Sequence, residues 1–73
     1  MVIRQGQSKG GKWQLQLIKN DETSFIVRLF KNGLSVASAH RNTLETAEIE
    51  YERQVSDSLR YDGIRLNYAE TEV

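Results

Sequence analysis

Residues 12–19, Lys-Trp-Gln-Leu-Gln-Leu-Ile-Lys, alternate polar and apolar positions with period two, which places Trp13, Leu15 and Leu17 on one face of a β-strand. Asn20-Asp21-Glu22-Thr23 supplies turn chemistry, and Ser24 to Lys31 reads as a second strand rich in β-branched and aromatic residues. Asn32-Gly33 follows directly. An Asn-Gly pair between extended runs favours a type I′ turn, because both central positions need positive φ. Residues 34–40 therefore form a third strand. With Lys31 and Leu34 as the closing pair, the register predicts Leu29 opposite Val36, Val27 opposite Ser38 and Phe25 opposite His40. An odd number of residues in the first turn brings Trp13, Leu15 and Leu17 to the same side as Phe25, Val27 and Leu29, the predicted core face.

After His40 the period changes. Leu44, Ala47, Tyr51, Val55 and Leu59 recur at intervals of three and four, an apolar stripe on a helix from about Thr43 to Tyr61. Asn42 or Thr43 caps its first turn, Glu45 completes a capping-box spacing with Asn42, and Gly63 is the expected stop. Such a helix is roughly 28 Å long, enough to cross three strands. Ile64, Leu66 and Tyr68 then alternate again and leave room for a short fourth strand or a docked segment. The expected fold is α+β: a three-stranded antiparallel sheet in the order β-β-β-α, packed on one long C-terminal helix.

Composition shapes the two ends. Residues 1–11 carry Gly6, Gly10 and Gly11 among Gln, Ser and Lys, and read as a flexible basic arm. Residues 12–68 make one domain, and residues 69–73 read as an acidic disordered tail. The chain has 73 residues with no cysteine, no proline and one histidine, so disulfides and thiolate metal sites are excluded and no cofactor is expected. A chain of this size offers a surface rather than a deep cleft. Without an apolar leader or a run long enough to cross a bilayer, the expected location is cytoplasmic.

Net charge is zero, but unevenly distributed: residues 1–41 carry seven bases and two acids, residues 42–73 three bases and eight acids. Neutrality is thus the sum of a basic arm and sheet and an acidic helix.

Three motifs invite chemistry and are outweighed by simpler readings. Gly6 to Lys12 fits the G-x-x-x-x-G-K part of a phosphate-binding loop, but Trp13 stands where a magnesium-binding hydroxyl is needed and a strand follows in place of a helix. His40 has Ser38 as a same-face neighbour and no carboxylate positioned to orient its ring, which reads as a strand-end histidine. Glu45, Glu48 and Glu52 share a helix side and read as a solvated face. An enzyme is not expected.

The outer sheet face is the candidate site. It presents Lys12, Gln14, Gln16 and Ile18 from the first strand, Ile26, Arg28 and Phe30 from the second, and Ser35, Ala37 and Ala39 from the third. Lys12 and Arg28 suit phosphates or guanine edges, the glutamines suit adenine, and Phe30 suits base stacking. Arg4 and Lys9 on the mobile arm add phosphate contacts. The expectation is a small non-enzymatic module that binds nucleic acid through this face and arm. The alternative is a protein-interaction or regulatory module, homodimer included, in which Ile18, Ile26 and Phe30 anchor a partner or the acidic helix is used.

With Gly11-Lys12-Trp13 opening the first strand, the Asn32-Gly33 hairpin, and Thr46-Ala47-Glu48 through Tyr51 in the helix, residues 11–61 are similar in layout to the arm-binding modules of tyrosine recombinases and to AP2-type DNA-binding domains. Those families lay the sheet in the DNA major groove, so the resemblance implies base contacts from the outer sheet face.

Overall fold

A computed structural model describes residues 1–61 and 68–73. The described elements are β1 (Val2–Gln7), a 3-10 turn (Lys9–Gly11), β2 (Trp13–Asp21), β3 (Ser24–Lys31), β4 (Leu34–Arg41), α1 (Leu44–Tyr61) and β5 (Ala69–Glu70). The class is α+β, with one antiparallel sheet in the order β4-β3-β2-β1-β5. The sheet is wider than the three strands, with room for a short fourth, expected from the sequence: β1 comes from the segment read as a flexible arm and β5 from the tail read as disordered.

The N-terminal arm is a strand. Residues 4–7 pair with residues 14–17 of β2, and a bulge at Ile3 turns both Ile3 and Arg4 toward the helix side. The glycines that suggested flexibility have separate jobs. Gly10 and Gly11 take φ of 85° and 74° in the connection to β2, where other residues are strained. Ser8 closes that hairpin: its N–H donates to the Trp13 carbonyl at 2.9 Å, and its Oγ accepts from the Trp13 N–H at 3.1 Å. Two of the amides a phosphate-binding loop would offer are thus committed, the Ser8 N–H to the Trp13 carbonyl and the Gly11 N–H to the Ser8 carbonyl, each at 2.9 Å.

The C-terminal tail is also docked. Ala69 and Glu70 pair with Gln7 and Gly6, and the Thr71 N–H donates to the Gln5 carbonyl at 3.0 Å. Tyr68 sits over Gly6, on the helix side of the sheet. The fourth strand expected around Ile64 and Leu66, and the stop at Gly63, lie outside the described residues.

Between β2 and β3, five residues separate the pair Lys19 and Phe25, so the turn has the required odd parity; Asn20 is a bulge, and the ladder closes at Asp21 and Ser24. Trp13, Leu15, Leu17, Phe25, Val27 and Leu29 are accordingly buried together, and Ala47 and Tyr51 of α1 complete the core. Burial of Leu17 and Val27 alone stabilises the fold by about 1.5–3 kcal/mol each.

The β3–β4 turn takes the expected form, with positive φ at Asn32 (54°) and Gly33 (82°) and Lys31 paired to Leu34. Beyond it the register differs from expectation. Val36 is an extra residue, so Leu29 faces Ala37, Val27 faces Ala39 and Phe25 faces Arg41. The bulge inverts the rest of β4. Ala37, Ala39 and Arg41 turn toward the helix, and Ser38 and His40 turn outward.

Helix α1 starts where Thr43 caps it, its Oγ1 accepting the Thr46 N–H at 3.2 Å in place of the Asn42–Glu45 arrangement. Ala47 and Tyr51 form the buried stripe with Val55 packed beside them, whereas Leu44, at the helix end, remains 45% exposed. No helix among the described residues is long and apolar enough to cross a membrane.

Candidate functional site

Opposite the helix, the strand registers build three rows across the sheet. Val2, Ile18, Ile26 and His40 form one, Gln5, Gln16, Arg28 and Ser38 the second, and Gln7, Gln14, Phe30 and Ser35 the third. Four of the seven residues singled out from sequence, Gln14, Gln16, Arg28 and Phe30, are therefore immediate neighbours: Gln16 pairs with Arg28 and Gln14 with Phe30. Arg28, Phe30 and Gln16 are half-buried, and Gln14 is exposed. No carboxylate stands in any of the three rows. Lys9 and Lys12 lie at the β1–β2 connection, beyond the third row, and the Lys12 carbonyl accepts the Asn32 N–H at 2.8 Å.

Arg4 is not part of this face. Its register partner Leu17 is a core residue, so its side chain crosses to the helix side, where Nη2 donates to Glu52 at 2.6 Å and Nε donates to Glu70 at 2.8 Å. Its guanidinium carbon is 4.2 Å from the centroid of the Tyr51 ring. The hydrogen bond to Glu70 holds the Arg4 pKa above its ordinary value, and the same bond holds the Glu70 carboxyl below the usual carboxylate range. Tyr68 adds to this cluster by donating to Glu70 at 2.7 Å and by bonding the Tyr51 hydroxyl. Burial raises the pKa of both phenols, so they remain neutral donors.

A second ionic cluster ties β4 to the helix. Glu50 is buried, and accepts from Arg53 at 2.7 and 2.9 Å, from Arg41 at 3.1 Å and from Gln54 at 2.9 Å. The Arg53 hydrogen bonds outweigh burial and lower its pKa. Together the two clusters hold Glu50, Glu52 and Glu70 on the helix side. Lys31 is also drawn there, with Nζ 5.1 Å from the Trp13 ring centroid.

His40 is at the exposed edge of the first row, its Nε2 2.8 Å from Ser24 Oγ, and Ser24 in turn is 3.5 Å from the Asn20 amide. Its hydrogen-bonded partner is thus a serine from β3, not Ser38. No group of three or more His, Asp or Glu side chains able to hold a metal ion occurs among the described residues.

Gln5 and Gln7 were missed as site residues. They lie directly opposite Gln16 and Gln14, so four amides share one corner of the face. The trace in the sequence is a mirror: Gln5-Gly6-Gln7 and Gln14-Leu15-Gln16 are equidistant from the Gly10-Gly11 connection. No protein-family model, curated protein or solved structure matches the chain.

Proposed function

We propose that the sheet face opposite α1 binds single-stranded nucleic acid, with Arg28 and Phe30 at its centre and Lys9 and Lys12 at its rim. The observation that carries this reading is the adjacency of Gln14, Gln16, Arg28 and Phe30 in rows without a carboxylate. Arg28 supplies a fork for phosphate or a base edge, Phe30 a ring for stacking, and the amides neutral donors and acceptors. The added strands favour a single strand over a duplex. Five strands at about 4.8 Å spacing span roughly 19 Å, whereas the B-DNA major groove is about 12 Å wide.

The row Val2, Ile18 and Ile26 supports a second reading, an apolar contact with a protein or another copy of this chain. Fluorescence anisotropy with labelled single-stranded and duplex oligonucleotides at two salt concentrations separates the two. Preferred binding of single strands, weakened by Arg28→Ala with a salt slope smaller by about one, supports the nucleic-acid reading. No binding, together with twice the monomer mass in sedimentation, supports self-association.

A further inference from the structure

Four glutamines of the sheet face opposite α1 frame a shallow polar bay of about 170 Å³, lined among the described residues also by Gly6, Leu15 and Thr71. Gln5 pairs across the strands with Gln16, and Gln7 with Gln14. Gln5 donates to the Glu72 carbonyl, which fixes its amide at the side of the bay next to β5. The side-chain amides of Gln7, Gln14 and Gln16 make no hydrogen bond among the described residues, and Gln7 and Gln14 are exposed.

Resting on the single-strand reading of the same face, we infer that this bay selects adenine. A carboxamide offers one donor and one acceptor side by side, and forms two hydrogen bonds only with an edge that carries the complementary pair. Adenine carries that pair on both of its edges, N1 with N6–H and N7 with N6–H. Guanine presents two acceptors, N7 and O6, on its outer edge. Cytosine and uracil have C–H groups there. A bay with amides on two neighbouring strands therefore meets adenine on both its Watson–Crick and its outer edge, and each other base on only one of these two edges. Arg28, paired with Gln16 and carrying the positive charge of the row, lies beside the bay where a flanking phosphate passes. Among the described residues no charged side chain lines the bay, which fits a neutral base edge and disfavours a phosphate in the bay itself.

The test is anisotropy with labelled oligoadenylate, oligocytidylate and oligouridylate of one length, in one buffer. Oligoadenylate is expected to bind about tenfold tighter, the discrimination of a good bidentate contact. Two changes should each erase the preference: 7-deazaadenine in the ligand, which removes N7 and leaves the protein untouched, and the paired substitution Gln7→Ala with Gln14→Ala, checked for folding by circular dichroism. Equal affinity for the three homopolymers overturns the adenine inference and leaves the single-strand reading standing. Retention of the preference with 7-deazaadenine also overturns it, because the second edge is then unused. Absence of binding to all three overturns both.

Discussion

The Arg4 guanidinium lies 4.2 Å from the centre of the Tyr51 ring while bonding carboxylates on two other elements, Glu52 of α1 and Glu70 of β5. One side chain from the first strand thus joins the helix and the last strand to the sheet. Arg4→Ala is expected to cost about 1–2 kcal/mol in urea denaturation, from the lost ring contact and ion pairs. Arg4→Lys should restore little of that, since an ammonium lacks the fork that meets both carboxylates. Neither variant should weaken oligonucleotide binding, because Arg4 faces the helix.

Gly6 is the position where β1 and Tyr68 come closest. A Cβ there would sit 2.7 Å from Tyr68 Cε2 and closer still to its hydroxyl, well inside contact distance. Gly6→Ala is expected to destabilise by about 1–3 kcal/mol through overpacking. Adding Tyr68→Ala should recover part of that loss, so the two substitutions will be strongly non-additive in a double-mutant cycle. Additive effects would show that the two residues do not touch.

Glu50 and Glu70 both have pKa values lowered in the fold by arginine hydrogen bonds. The stabilisation they provide is fully present above the unfolded carboxylate value of about 4.3 and is lost as pH falls through their lower folded values. Thermal melts from pH 7 down to pH 3 should therefore show a loss of stability that begins near pH 4. Glu50→Gln leaves Arg41 and Arg53 facing a neutral amide, which is expected to cost about 1–3 kcal/mol at pH 7 and to flatten the acid limb.

The bulge at Val36 makes two single-residue deletions behave differently. Removing Val36 leaves Ser35 opposite Phe30 and Ala37 opposite Leu29, so the ladder becomes regular and Arg41 still reaches Glu50. Removing Ser38 turns Arg41 away from the helix and strips the buried Glu50 of one partner. Urea denaturation should find the first variant folded and the second destabilised by about 3 kcal/mol or more.

The strands β2 and β3, the Asn32-Gly33 hairpin and the helix were legible because each carries its own local signal: strict alternation, an Asn-Gly turn and a 3-4 spacing. The first and last strands lack such a signal. Val2 to Gln7 is too polar to look buried, and Gly6 resembles a loop residue until Tyr68, more than sixty residues later, fills the space above it. Two-residue β5 exists only because β1 offers an edge. The Val36 bulge did leave a trace, since apolar residues fall on even positions at Leu34 and Val36 and on odd positions at Ala37 and Ala39. For the candidate site, the alternation of β2 and β3 sufficed to gather Gln14, Gln16, Arg28 and Phe30. Arg4 was misplaced because its face depends on the bulge at Ile3 and on two carboxylates distant in sequence.

The central claim is that ligand meets the sheet face and not the helix. An NMR titration of isotope-labelled protein with a single-stranded oligoadenylate reads both faces at once. The account predicts shifts in the backbone amides of Gln14, Gln16, Arg28 and Phe30 and in the side-chain amides of Gln7, Gln14 and Gln16, with Glu45 to Ser56 of α1 unmoved. Shifts concentrated on α1, or none on the four central sheet residues, would contradict it.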